Sequence, residues 1–403
     1  MRWPACLVLA LVLTAPPLAL AQRGPAARPP AGMVERPMRP SLERFPTRGV
    51  EVDRVATERE AARRRTQAAV EAAYERDPRG AWFRRGEIVV AAADAGAAEA
   101  ARALGLRETS RAELPAAGLI LMTFQAPEGV QTQALFEALR AARPDDAIDL
   151  NFVYVFQAAR LAGPSGPVPV PAPSTPGPAR IGAMIDSGLP AGHAALEGVR
   201  VVTARFSAGP ARTSAHALAV AAVYARAAGG PGLTLLAADA AESGPLPGAA
   251  VSAIARGADW AASSGARVIN VSLTGPPNTA LAAVIERLTR RGVVIVAAAG
   301  NEGPHARAPF PAALPGVIGV TAVDARLRIW RRATQGEHVD FAAPGVDVGA
   351  AGGRWTGTSM AAPVVAGRLV GGQVTPDELA RRATDLGVPG RDPVYGHGFV
   401  APR

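Results

Sequence analysis

An aspartate, a histidine, an asparagine and a serine (Asp186, His216, Asn301 and Ser359) each sit in a short segment whose neighbours suit acyl-transfer chemistry. Arg180-Ile-Gly-Ala-Met-Ile-Asp-Ser-Gly188 runs an apolar strand into a carboxylate and a turn, the end of an α/β sheet at which functional groups are held. A carboxylate there could orient a histidine. Thr213-Ser-Ala-His-Ala-Leu-Ala-Val-Ala-Ala222 opens a helix with Ser214 as its cap and His216 in the first turn, rigidly held and suited to act as a base. Val293-Val-Ile-Val-Ala-Ala-Ala-Gly-Asn-Glu-Gly303 is an apolar strand running into a turn that would aim the Asn301 amide at an oxygen gaining negative charge. Gly357-Thr-Ser-Met-Ala-Ala-Pro-Val-Val-Ala-Gly367 delivers Ser359 onto the start of a helix of small residues, with its own N–H available as a second oxyanion donor. Pro363 is expected in the first turn of that helix, where proline is tolerable. Taken singly, each residue also has an ordinary reading: an aspartate opening a turn, a histidine in a helix, an asparagine in a turn.

The elements that would position these groups alternate along residues 179–403. Apolar strands at Arg180–Ile185, Leu233–Ala238, Val268–Ser272 and Val293–Ala298 are interleaved with Ala-rich helical stretches at His216–Ala227, Ala249–Ser264 and Ala280–Arg290. That alternation predicts an α/β domain, a parallel sheet covered by helices on both faces. Upstream, residues 86–157 read as strand, helix, strand, strand, helix, strand: Glu87–Ala91, Ala95–Leu104, Arg107–Arg111, Leu119–Gln125, Val130–Ala142 and Ile148–Phe156. This is the order of a small ferredoxin-like α+β domain. Between the two, residues 158–178 carry prolines at 164, 167, 169, 171, 173, 176 and 178 and predict an extended linker.

Residues 1–21 have the pattern of a signal peptide: Arg2, an apolar run from Leu7 to Leu20 broken by Pro16 and Pro17, and the small-residue exit Ala19-Leu20-Ala21. Export followed by cleavage is expected, with no membrane span in the mature chain. Cys6 is the only cysteine and lies inside this segment, so disulfides and a thiol nucleophile are excluded from the exported protein. Residues 22–85 mix Pro, Gly, Arg and a charged stretch, and predict a poorly ordered segment. The 403 residues are 49% apolar and 19% charged, enough to bury a core in two or three folded units. The net charge of +9 comes from arginine alone, there being no lysine, and apart from Arg63–Arg65 those arginines are scattered. No basic stripe marks a nucleic-acid partner.

In the order Asp, His, Asn, Ser, with these surroundings, the sequence resembles the subtilisin family of serine peptidases. Gly192-His-Ala-Ala-Leu196, Val268-Ile-Asn-Val-Ser-Leu273, Phe310-Pro-Ala-Ala-Leu-Pro-Gly-Val-Ile-Gly-Val320, Val339-Asp-Phe-Ala-Ala-Pro-Gly345 and Tyr395-Gly-His-Gly398 resemble further family segments. Residues 86–157 are similar to the family's inhibitory propeptides. The resemblance implies a secreted endopeptidase made as a self-processing zymogen, with Asp186, His216 and Ser359 as triad and Asn301 in the oxyanion hole. It also implies a substrate groove lined by Ser272, Leu273 and Thr274 on one side and Ala298, Ala299 and Gly300 on the other, an apolar pocket without a fixed charge. Protein or peptide substrates and the chain's own propeptide are the implied partners. No metal or organic cofactor is required for the chemistry, and no residues are assigned to a structural calcium. One departure stands out: the family's His-Gly-Thr is here His216-Ala217-Leu218, which adds a methyl group beside the base and gives an alternative, a catalytically inactive subtilisin-fold binding module.

Overall fold

The computed structural model describes residues 66–156, 159–161 and 180–402. The expected signal peptide, most of the 22–85 segment and nearly all of the proline-rich linker lie outside the described residues.

Strands rich in Val, Ile and Ala can be buried on both faces, and that is where the chain places them. The strands are β7 (Arg180–Asp186), β8 (Arg200–Arg205), β9 (Leu233–Asp239), β11 (Val268–Val271), β13 (Val294–Ala298), β14 (Val317–Val323) and β15 (Phe341–Pro344). They form a parallel sheet in the order β15-β14-β13-β11-β7-β9-β8. Alternate residues feed two cores. Ala183, Ile185, Ile269 and Ile295 pack toward helices α5 (Val251–Ser263) and α6 (Thr279–Arg290). Met184, Val268, Val296 and Val320 pack toward α4 (Ala215–Ala227) and α7 (Thr358–Leu369).

The N-terminal elements form a second, antiparallel sheet. In chain order they are a helix over residues 66–73 (α1), β1 (Tyr74–Arg76), β2 (Trp82–Ala92), α2 (Ala97–Ala103), β3 (Arg107–Leu114), β4 (Leu119–Gln125), α3 (Thr132–Ala142) and β5 (Ala147–Phe156). Their order is β5-β2-β4-β3, with β1 on the far end of β2. This sheet shares an apolar core with α5 and α6.

The structure departs from four expectations. Pro363 is the sixth residue of α7, beyond its first turn, and the Ser359 carbonyl it leaves without a helical donor accepts from the Ser272 hydroxyl instead. Within the expected 22–85 segment, residues 66–85 contain a helix and strands, because Val70 and Tyr74 are buried against Val153 and because β2 extends back to Trp82. Ala249 and Ala250, read as helical, belong to a short strand β10 (Gly248–Ala250), since Tyr154 and Val153 of β5 pair with them. Ala159–Leu161, read as linker, forms a strand β6 that joins β17 (Gly353–Thr356) and β16 (Val348–Ala350) in a small antiparallel sheet. In each case a distant partner, absent from the local pattern, supplies the contacts or hydrogen bonds.

The helices α4 and α7, which carry His216 and Ser359, touch at Gly367. A Cβ there would lie 2.7 Å from the Ala227 Cβ and the Tyr224 carbonyl oxygen and 2.8 Å from the Ala228 nitrogen. Alanine favours a helix by up to about 1 kcal/mol over glycine, but two of these contacts are backbone atoms of another helix and cannot turn aside. Gly367→Ala is expected to destabilise by about 1–3 kcal/mol. Thermal unfolding of the substituted protein measures this; an unchanged Tm would show that the helices separate freely.

Candidate active site

Asp186 ends β7 and is 1% exposed. A buried carboxylate needs hydrogen-bond donors, and Oδ1 accepts the Ser187 N–H at 2.8 Å. His216 supplies a second donor: its Nδ1 lies 3.0 Å from Oδ2 and 3.3 Å from Oδ1 of Asp186. Facing an acceptor, Nδ1 carries the proton in the neutral ring and leaves Nε2 with its lone pair. Nε2 is buried and makes no hydrogen bond among the described residues.

The histidine is held by a well-formed helix start. Ser214, the cap of α4, accepts from the Ala217 N–H at 3.0 Å, and its hydroxyl bonds the Ser187 hydroxyl at 2.6 Å. This ties the cap of the histidine's helix to the residue after the aspartate. Ala217 is fully buried and its N–H is satisfied, so the extra methyl is accommodated without breaking the helix start or the Asp186–His216 contact.

Ser359 is the second residue of α7 and is fully buried. Its hydroxyl donates to the Ser272 carbonyl oxygen at 3.2 Å rather than to His216. The structure thus brings Asp186 and His216 into contact and turns the serine toward the neighbouring groove strand. Catalytic hydrogen bonds often tighten only once substrate is bound. Asn301 is anchored through its amide oxygen, which accepts from the Thr358 N–H at 3.0 Å and the Thr358 hydroxyl at 2.9 Å. With the oxygen fixed to the start of α7, the amide nitrogen is held on the opposite edge of the plane.

Ser272, Leu273 and Thr274 are buried, and Leu273–Thr274 form the short strand β12. Thr274 lies opposite Val155 and Leu273 opposite Phe156. Ala298 and Ala299 are fully buried, and Gly300 has φ +107°, which suits glycine. The Ala299 carbonyl oxygen lies 3.0 Å from Nε2 of His338, a residue that its sequence surroundings did not place at the site. Burial holds the His338 imidazole below its usual pKa, hence neutral near pH 7.

Other groups at the site also escaped the sequence. The Phe156 ring lies 5.5 Å from the His216 ring and the Trp355 ring 6.2 Å from it. The end of β5 sits between β10 and β12, antiparallel to both, and Ala159 of β6 pairs with Thr356, three residues before Ser359. Only the resemblance of residues 86–157 to inhibitory propeptides hinted at this. Among the described residues, no group of three or more His, Cys, Asp or Glu side chains is placed to hold a metal, and no helix is long and apolar enough to cross a membrane.

The parallel sheet thus carries a buried Asp–His pair at one strand end and a serine at a helix start beside β12. Comparison with known proteins points to a subtilisin-like protein. Residues 206–371 match the model of the subtilase family, a span that includes His216, Asn301 and Ser359. Subtilisin amylosacchariticus of Bacillus subtilis subsp. amylosacchariticus is 40% identical over 123 residues, 28% of this chain and 32% of that protein. Subtilisin BL of Lederbergia lenta is 35% identical over 166 residues, 38% of this chain and 60% of that protein. The match spans less than two thirds of the length of either relative. The crystal structure of fervidolysin from Fervidobacterium pennivorans, a keratinolytic enzyme related to subtilisin, superposes with a TM-score of 0.59 at 22% identity, covering 79% of this chain and 60% of that one. The chain has the subtilisin-like α/β fold, and its residues 206–371 resemble the subtilase family.

The serine cap gives a test of the local architecture. Ser214→Ala removes the acceptor for the Ala217 N–H and the tie to Ser187, and a loss of about 1 kcal/mol is expected. Denaturant unfolding checks it; no change in midpoint would mean that the cap and tie carry no stability.

Proposed function

We propose that this chain is the precursor of a secreted serine endopeptidase, in which residues 66–156 act as an intramolecular inhibitor of residues 179–403. The observation that carries the reading is the path of the chain across the site. Residues 153–156 are laid between β10 and β12 as an added antiparallel strand, the Phe156 ring lies tilted against His216, and residues 159–161 pair with β17. Such strand addition is how an extended peptide is held by a sheet edge. Relatives named subtilisin support the activity. Export rests on the signal-like residues 1–21, and release of the inhibitor on the proline-rich 158–178 stretch.

On this reading His216 Nε2 takes the Ser359 hydroxyl proton as the oxygen attacks the scissile carbonyl, and Asp186 keeps the ring in the tautomer this needs. The Ser359 hydroxyl must swing from the Ser272 carbonyl to Nε2. Negative charge on the carbonyl oxygen is received by the Ser359 N–H and the Asn301 amide. His216 then protonates the leaving amine, and water, deprotonated by His216, releases the acyl-enzyme. The pocket walls at 272–274 and 298–300 carry no charge, so uncharged residues are favoured before the cut, and the chain's own Phe156-Gln-Ala-Ala159 offers only such bonds.

On this reading the processing site falls among the bonds between Phe156 and Ala159. Wild-type protein should cut itself there while Ser359→Ala stays full length, as read by intact mass. Identical cleavage of both purified proteins rules out self-processing. A phosphonofluoridate that labels Ser359 in the processed protein separates the enzyme from an inactive binding module.

Asn301→Ala should lower kcat by about 10²–10³ and leave KM nearly unchanged, because an oxyanion contact strengthens only as charge develops. A change confined to KM would remove Asn301 from the transition state.

A further inference from the structure

Glu242 lies in the loop between β9 and β10, with its side chain only 5% exposed. Its backbone N–H donates to the Gly248 carbonyl oxygen, and Gly248 pairs with Val155, so the residue stands one strand away from the segment lying in the groove. Both side chains hydrogen-bonded to its carboxylate come from the N-terminal module. Tyr74 donates its hydroxyl at 2.9 Å, and Arg84 Nη1 lies 3.1 Å from Oε1 and 3.3 Å from Oε2. Tyr74 and Arg84 face each other across β1 and β2, so a directly opposed pair covers the acid. Burial, and then the Glu242 carboxylate, hold the Tyr74 phenol above its usual pKa.

If residues 66–156 are cut off and leave, as the proposed function requires, Glu242 loses both partners at once. The neighbouring cations on the catalytic side are engaged elsewhere. Arg205 is paired with Asp239 at 2.5 Å and donates to backbone oxygens of Ala208, Gly209 and Ala241 and to the Ser243 hydroxyl. Arg256 donates to the Ser252 and Phe206 carbonyl oxygens. The vacated acid therefore becomes available to whatever next occupies the groove.

We infer that Glu242 is a specificity residue of the processed enzyme, selecting substrates that carry a cationic side chain at the level Val153 occupies in the precursor. The level follows from packing. Val153 is buried in a small cluster with Val70, Tyr74 and Leu246, whereas Val155, on the same side of β5, is 42% exposed. The Tyr74 ring bridges from that cluster to Glu242, and its hydroxyl occupies space beside Gly244. With Tyr74 gone, an arginine at the Val153 level has room to extend along the same line, buries its stem on Leu246 and brings its guanidinium to the carboxylate. The precursor holds an arginine, Arg84, on this acid already.

The test uses enzyme processed from the full chain and a peptide of residues 151–161, in its parent form and as the single substitutions Val153→Arg, Val153→Gln, Val153→Glu and Val155→Arg. Within one enzyme, kcat/KM for the Val153→Arg peptide should exceed that for the parent about five- to tenfold at low salt. The Val153→Glu peptide should be cleaved less well than the Val153→Gln peptide. In Glu242→Gln enzyme the advantage of Val153→Arg over the parent should fall to near one, and Glu242→Arg enzyme should favour the Val153→Glu peptide. An arginine preference that persists in Glu242→Gln, one that appears only with Val155→Arg, or no preference in an enzyme that cleaves the parent peptide well, overturns the subsite alone. Failure to cleave any of the peptides overturns the peptidase reading, and the subsite with it.

Discussion

A carboxylate taken out of water at the end of β7 governs the arrangement of this protein. Asp186 is 1% exposed, and an ionised group in that position is tolerable only if donors are fixed around it. The donors are the next backbone N–H and the His216 ring. To keep the ring there, α4 must begin at one place, which the Ser214 cap and the Ser187–Ser214 hydroxyl pair define. To bring Ser359 near the same ring, α7 must lie close against α4, and a glycine at the crossing allows that approach. Each requirement is local, yet together they fix two helices against one strand end.

The N-terminal module is joined to the rest through polar groups that sit at helix starts as well as through an apolar core. The cap position of α5, Ala250, has no side chain to offer, and Asn151 of β5 accepts the Ser252 N–H at 3.0 Å in its place. Asp149 accepts the Thr279 N–H at the start of α6 at 2.8 Å. In return, Asp259 of α5 accepts the Ala117 N–H of the module at 2.7 Å. Burial raises the carboxyl pKa of both Asp149 and Asp259, against the lowering effect of these same bonds. Docking therefore desolvates charge on both sides of the contact, and Glu242 under Tyr74 and Arg84 extends the pattern to the rim of the groove.

These contacts serve two ends of one strand. β5 caps helices with its first half and pairs with β10 and β12 with its second, so both sets of contacts depend on the same ten residues. Phe156 and Trp355 then flank the His216 ring from two separate chain segments.

The α/β class and the four candidate residues of the site are legible in local sequence. Asp186, His216, Asn301 and Ser359 stand in short segments whose glycines, caps and apolar strands are local features, readable without a partner. The Leu119–Gln125 strand came out with its true limits for the same reason, since its burial is written in its own residues. Packing between distant parts of the chain sets the conformation of segments whose local signal is poor. Ala249–Ala250 and Ala159–Leu161 are strands because distant backbone groups bond to them. Residues 66–76 are placed by packing against Val153. Glu242 reads in the sequence as one loop acid among many; its burial under Tyr74 and Arg84 comes from residues more than 150 positions away, and no local pattern encodes a contact whose two halves are that far apart along the chain.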